Sequence, residues 1–173
     1  LYKFINTYCD RLNTIYKTEN TVALADSISS IIDPYVNSHI ERWSIFPSDG
    51  HTPDNMNQYN NYLNQLYSFA NYRPENARQE IVESFGLDGA SNSITVFTND
   101  SDNGFVNVNT IKVDQQGWSG EYFPDIPITV HAIPKQGFEF SHWIGIDSDA
   151  DIATIHLEEN TTVVAYFSAS GGS

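Results

Sequence analysis

The sequence has little cysteine, few basic residues and no long apolar run. Its 173 residues include a single cysteine, Cys9, which excludes an internal disulfide and a zinc site built from cysteines. Only 8 basic residues oppose 22 acidic ones, and the formal charge of -14 disfavours binding to the phosphate backbone of nucleic acids. No apolar stretch approaches the roughly twenty residues that a membrane-spanning helix needs. We therefore expect neither nucleic-acid binding nor a membrane span.

What the sequence does contain divides into two halves. Helical spacing of apolar residues dominates residues 1–90, and strand-like alternation dominates residues 91–173. A small, polar stretch at residues 87–92 lies between them and has the composition of a linker. We expect an α+β chain with segregated domains: a helical segment over residues 1–88, a β module over residues 92–168 and a flexible tail over residues 169–173. Because the chain opens on Leu1, we also expect it to be a segment of a longer protein.

The helical half predicts four or five short helices that pack as a small bundle. Pro34 either begins a new helix or kinks one longer helix, and the local sequence is compatible with both. Residues 46–52 have the composition of a turn, Pro74 is expected to open a last short helix, and Gly86 to end it. The first helix has an apolar stripe at three- and four-residue spacing: Leu1, Phe4, Ile5, Tyr8, Cys9, Leu12 and Ile15.

Several spaced motifs follow one another in the helical half. They are Phe4-Ile5-Asn6, Leu12-Asn13-Thr14, Ile32-Asp33-Pro34, His39-Ile40-Glu41-Arg42-Trp43 and Arg73-Pro74-Glu75. In this order they resemble the C-terminal helical end of the spore-coat protein H (CotH) kinase-like family, over about residues 1–87. The resemblance implies a secreted or surface-associated parent protein, with an upstream kinase-like domain as the partner of this segment.

The kinase resemblance transfers no catalytic residue to this sequence. In the family, the nucleotide- and metal-binding residues precede the helical end. The sequence itself has no glycine-rich phosphate loop and no catalytic loop with paired metal-binding Asp and Asn. We therefore expect the segment not to be an enzyme, although the parent chain is expected to be an atypical protein kinase.

The β half contains about seven short alternating segments with turn signals every eight to twelve residues. This pattern is typical of a small antiparallel β-sandwich, and a grasp-like sheet is the main alternative. The clearest segments are Ile94–Phe97, Phe105–Val108, Ile126–Ile133, Phe138–Trp143, Ile152–Leu157 and Thr162–Phe167.

A second resemblance lies in the β half. Its motifs are Ile128-Thr129-Val130, Ala132-Ile133-Pro134, Gly137-Phe138-Glu139-Phe140, His142-Trp143 and Ala165-Tyr166-Phe167. They resemble the divergent internalin B-type repeat of bacterial surface proteins, over about residues 93–168. The resemblance implies a stalk, spacer or adhesion unit without catalysis, in an exported protein located outside the cell or on its surface.

One candidate metal site is an acidic turn in the β half. Asp147, Asp149 and Asp151 have the spacing that begins a calcium loop, and carboxylate oxygens are the ligands that calcium prefers. Ile152 stands where an EF-hand loop needs glycine, so the turn is not an EF-hand. The sequence leaves two interpretations, a calcium site and a solvated acidic turn.

One candidate ligand site is aromatic. Trp118 lies in a predicted glycine-rich loop, Gly117-Trp118-Ser119-Gly120. Exposed rings at Trp118 and Tyr122 would stack on sugars and make the module a carbohydrate binder, whereas burial in the core would explain the same residues structurally. No nucleophile and base with a recognisable spacing are present, and calcium is the only cofactor that the sequence suggests. The resulting hypothesis is a non-catalytic C-terminal segment with a structural role; the alternative is adhesion to a cell-surface protein or glycan through the β module.

Overall fold

A computed structural model describes residues 1–43, 53–114 and 117–171 of the chain. Within these described residues, three helices come first and eight strands follow. The helices are α1 (Tyr2–Leu12), α2 (Thr18–Trp43) and α3 (Met56–Phe85). The strands are β1 (Asn92–Thr98), β2 (Gly104–Val108), β3 (Ile111–Val113), β4 (Trp118–Tyr122), β5 (Ile128–Pro134), β6 (Phe138–Ile144), β7 (Ile152–Ile155) and β8 (Thr161–Ala169). The expected α+β class with segregated helices and strands is confirmed.

The chain forms two compact units, and their limits differ from the predicted domains. One unit, here the β unit, comprises Leu1–Asn13 and Arg78–Ser173; the other, the helical unit, is Thr14–Ala77. Helix α1 and the end of α3 therefore group with the strands and not with the other helices. The physical reason is that the apolar side chains of α1 are buried in the core of the β unit. Whether residues 1–88 and 92–168 behave as separate domains stays a prediction of the sequence.

Two prolines lie inside helices that the sequence divides into shorter ones. Helix α2 continues through Pro34, which leaves the kinked-helix alternative, and α3 continues through Pro74, where a new helix was expected. Pro74 has no N–H to donate to the carbonyl of Ala70 one turn earlier. The hydroxyl of Thr18 donates to that carbonyl instead, at 3.3 Å. The predicted turn at residues 46–52 falls outside the described residues.

The strands form two four-stranded sheets with the orders β4-β1-β8-β6 and β3-β2-β5-β7. All neighbours are antiparallel except β1 and β8, which run parallel from the pair Ile94 and Thr161 to the pair Thr98 and Ala165. The expected antiparallel sandwich is thus correct apart from one parallel pair. In β6 a bulge at Ser141 lets Phe140 and Trp143 contact each other, with ring centroids 5.3 Å apart.

The core of the β unit lies between the two sheets. Every second residue of the central strands is buried, which is the alternation that the sequence shows. Eight of these inward side chains have no exposed surface: Ile94, Val96, Val106, Val108, Val130, Ala132, Val163 and Ala165.

Helix α1 covers this core with part of its apolar stripe. Ile5, Cys9 and Leu12 are buried, whereas Leu1 and Phe4 at the start of the helix stay exposed. At the end of α3, Gly86 takes a left-handed conformation with φ of 63°, and the N–H of Leu87 bonds the carbonyl of Val82 at 3.1 Å. This is the helix stop that the sequence predicts.

The burial of Cys9 gives a testable consequence. Burial is the largest influence on the thiol and raises its pKa from 9.0 to about 12. A thiol that stays protonated is a poor nucleophile, so we expect a thiol reagent at pH 8 to label Cys9 only after the chain is unfolded in denaturant. A Glu159→Cys variant, with its new thiol on an exposed turn, serves as the control and should react at once. Prompt labelling of the native chain contradicts the buried position.

The raised pKa of Cys9 also makes the free energy of unfolding depend on pH. The folded chain binds the Cys9 proton more tightly than the unfolded chain, so this contribution is complete below pH 9 and is lost as the pH rises towards 12.

Candidate functional site

The most developed polar site of the chain is buried in the β unit, around Asp10 of α1. Asp10 is 1% exposed. Its carboxylate accepts hydrogen bonds from the Tyr122 hydroxyl at 2.7 Å, from the Thr110 N–H at 3.0 Å and from the Thr110 hydroxyl. The Asn109 amide lies 3.4 Å away. A buried carboxylate is tolerated only with such partners, so the contacts fix the position of α1 on the strands.

Asn13, which directly follows α1, binds an edge strand. Its amide nitrogen donates to the carbonyl of Glu121 at 2.9 Å, and its amide oxygen accepts from the N–H of Glu121 at 3.0 Å. Strand β4 is at the edge of its sheet, where such backbone groups have no neighbouring strand. Gly120 makes the approach feasible, because a Cβ there would lie 3.0 Å from the Asn13 amide nitrogen and 2.4 Å from the Trp118 ring.

Arg78 of α3 completes this arrangement. Its Nη2 donates to Asn13 Oδ1 at 3.0 Å, and its Nε lies 3.2 Å from Glu121 Oε2 as an ion pair. The Ser91 hydroxyl donates to the same Glu121 oxygen at 2.9 Å. We call Asp10, Asn13, Arg78, Glu121 and Tyr122 the polar clamp. It joins α1 and the end of α3 to strand β4.

The chemistry of the polar clamp is that of a structural contact between α1, α3 and β4. Burial, followed by the nearby charge of Asp10, raises the pKa of Tyr122 far above its ordinary value, so the hydroxyl remains a donor. Both carboxylate oxygens of Asp10 accept hydrogen bonds, and Oε2 of Glu121 accepts from Ser91 and is ion-paired with Arg78. No motif in the sequence predicts the clamp. The spacing of Asp10 and Asn13 beside the buried stripe was its only local signal.

The aromatic ligand site expected at Trp118 and Tyr122 is not exposed. Trp118 is 8% exposed and Tyr122 is fully buried. The expectation treated Trp118 as part of a glycine-rich loop, but residues 118–122 form strand β4, whose alternate side chains point inward. Neither ring has a free face for stacking on a sugar, so this prediction is corrected.

The acidic residues Asp147, Asp149 and Asp151 lie in the connection between β6 and β7. Trp143 orders this connection by donating its indole N–H to the carbonyl of Ala150 at 2.8 Å. Asp151 lies 3.8 Å from the His131 imidazole. Across the described residues, no three His, Cys, Asp or Glu side chains are grouped so that they could hold a metal ion. Calcium binding at this connection stays a prediction of the sequence.

The comparisons with known proteins concern the β unit. Residues 94–171 match the family model described as a divergent InlB B-repeat domain, so the β part of the sequence is similar to that family. Such domains are typical of bacterial surface proteins. No curated protein and no solved structure matches the chain significantly. Within the described residues, no helix combines the length and the apolar character required to cross a bilayer.

The polar clamp predicts a large effect of a single substitution. Asp10→Ala leaves the Tyr122 and Thr110 donors without their buried acceptor, so we expect a loss of about 2–4 kcal/mol of unfolding free energy. Urea denaturation followed by tryptophan fluorescence measures it. The control is Asp102→Ala, which removes an exposed carboxylate of a turn and should change the unfolding free energy by less than about 0.5 kcal/mol. Equal effects of the two substitutions would refute the clamp.

Proposed function

We propose that the chain is a non-catalytic segment of an exported bacterial protein, with the β unit as a surface or adhesion-type module. The observation that supports this most directly is the family match of residues 94–171, which spans strands of both sheets from β1 to β8. A compact pair of sheets with a mainly apolar core between them is suited to a spacer or surface unit.

The polar clamp supports a structural role for the helical residues of the β unit. Helix α1 is held by buried contacts, and the end of α3 is held through Arg78. A domain that preceded Leu1 in a longer polypeptide would thus join the module through a packed helix. The resemblance of residues 1–87 to the end of CotH-type kinases supports a kinase-like domain in that position, whose lobe the helical segment completes.

The alternative of glycan adhesion has less support than the spacer role. It depended on Trp118 and Tyr122, which are buried in the β unit. Stacking on a sugar needs an exposed ring face, so a structural module is the better conclusion.

Surface exposure is tested by labelling intact cells. The whole protein, in the bacterium that produces it, is compared with its Glu159→Cys variant by using a membrane-impermeant maleimide. We expect the variant to be labelled on intact cells, because residue 159 lies on an exposed turn of the β unit. The unsubstituted protein is the matched control, since its buried Cys9 should not contribute. If the extra label appears only after lysis, the proposed location is wrong.

The absence of catalysis is tested by phosphotransfer. The purified chain is incubated with radiolabelled ATP, Mg²⁺ or Mn²⁺ and a general protein acceptor, next to an active protein kinase as the control. We expect no transfer above the level of a heat-denatured sample, because the sequence lacks the loops that bind nucleotide phosphates and metal. Transfer that depends on the folded chain would refute the non-catalytic assignment.

A further inference from the structure

The helical unit has an unusual amount of apolar side chain in contact with water. On α2, Leu24, Ile28, Ile31 and Tyr35 are 62%, 52%, 68% and 72% exposed. Their spacings of four, three and four residues place them on one side of the helix. Soluble helices normally bury such a stripe against another element, so this stripe is a candidate contact surface.

Helix α3 has a matching stripe. Tyr62, Leu66 and Phe69 are 39%, 45% and 60% exposed, again at four- and three-residue spacing. Residues 55–72 include no charged side chain at all. The stripe on α3 is therefore both apolar and electrically neutral.

The two stripes lie on the same side of the helical unit. Helices α2 and α3 run antiparallel, because Asp26 bonds Tyr67 whereas the later residue Asp33 bonds the earlier Tyr59. Each stripe is offset around its helix from the residues that contact the other helix. Because the helices are antiparallel, these offsets place both stripes on the same side of the pair. A cavity of about 330 Å³ lies between α2 and the start of α3, and its lining is Ile32, Tyr35, Val36 and His39 of α2, Tyr59 of α3 and Pro53, which precedes α3.

The area of this surface is that of a protein interface. We define the apolar face as the eight side chains Leu24, Ile28, Ile31, Ile32, Tyr35, Tyr62, Leu66 and Phe69. With roughly 100 Å² of exposed surface each, they offer about 800 Å², whereas the largest apolar patch of a monomer is typically about 300–600 Å². A standard interface buries about 800 Å² on each partner. The apolar face alone is large enough for a stable dimer.

The distribution of charge in the helical unit favours a second copy of this chain as the partner. The whole chain has a net charge of -14, yet residues 14–77 contain only seven acidic and three basic residues. Asp26 and Asp33 lie on the side of α2 away from the stripe, because each is two residues from its members, and they accept hydrogen bonds from Tyr67 and Tyr59. None of the eight side chains of the face is charged, so they present no charge repulsion to the same side chains of another copy.

We propose that two copies of this chain pair through the apolar face, in addition to the surface role of the β unit. Two antiparallel helices from each copy form a four-helix arrangement, and a two-fold axis lets the same face serve both partners. Pairing removes the exposed stripes of both copies from water at once. The proposal does not depend on the proposed function, because it rests on the helical unit alone.

The test is the mass of the folded chain in solution. Size-exclusion chromatography with light scattering, at loading concentrations from 1 to 100 μM, should give twice the chain mass of 19.5 kDa at the upper end. The dimer should persist when the salt concentration is raised to 1 M, because an uncharged contact is not screened. A monomer throughout the range overturns the proposal and leaves the face to another domain of the longer polypeptide.

Matched variants localise the contact. Ile31→Lys places a charge in the middle of the face, and Ser30→Lys places the same charge on an exposed residue of the same helix outside the face. We expect the dissociation constant of the dimer to rise at least tenfold for Ile31→Lys and to stay within twofold for Ser30→Lys. Equal behaviour of the two variants overturns the proposal.

A second variant guards against misfolding of the first. Phe69→Gln tests the stripe on α3 at a residue that is 60% exposed, so the fold should tolerate it. Far-ultraviolet circular dichroism confirms that each variant is folded. A folded Phe69→Gln chain that still dimerises with the native dissociation constant contradicts the predicted interface.

Discussion

The attachment of helix α1 to the strands is the constraint on which the β unit depends. Two of its side chains, Ile5 and Cys9, belong to the core of the β unit, and Leu12 is also buried. The two polar residues next to them, Asp10 and Asn13, are also buried. Their hydrogen bonds to Thr110, Tyr122 and the backbone of Glu121 compensate for the water that burial removes. The apolar contacts supply most of the stabilisation, and the polar contacts permit only one placement of the helix.

The placement of α1 also provides partners for backbone groups at an open sheet edge. Strand β4 has a neighbour on one side only, and unpaired backbone groups at such an edge can recruit another chain. The Asn13 amide pairs with both backbone groups of Glu121, as a neighbouring strand would. Arg78 then binds Asn13 and Glu121 together, so the end of α3 depends on the same edge.

Local patterns in the sequence predict the strands well, since burial alternates in β1 and β2 as the apolar residues do. Local patterns do not predict features that depend on a contact with a residue distant in the sequence. Helix α3 continues past Pro74 because Thr18, 52 residues away, satisfies the carbonyl of Ala70. The bonds between Asn13 and Glu121 join residues 108 positions apart. Trp118 was expected in a loop because Gly117 and Gly120 flank it, whereas Gly120 lies in a strand and provides room for the close approach of Asn13.

The difference between α1 and α2 shows how one pattern can have two outcomes. Both helices have an apolar stripe at helical spacing, but Ile5, Cys9 and Leu12 of the α1 stripe are buried, whereas the α2 stripe faces water. The β unit contains fifteen of the 22 acidic residues, so its surface is strongly solvated and repels other copies. The helical unit has fewer charges and a neutral apolar face. Association between copies is therefore expected through the apolar face of the helical unit.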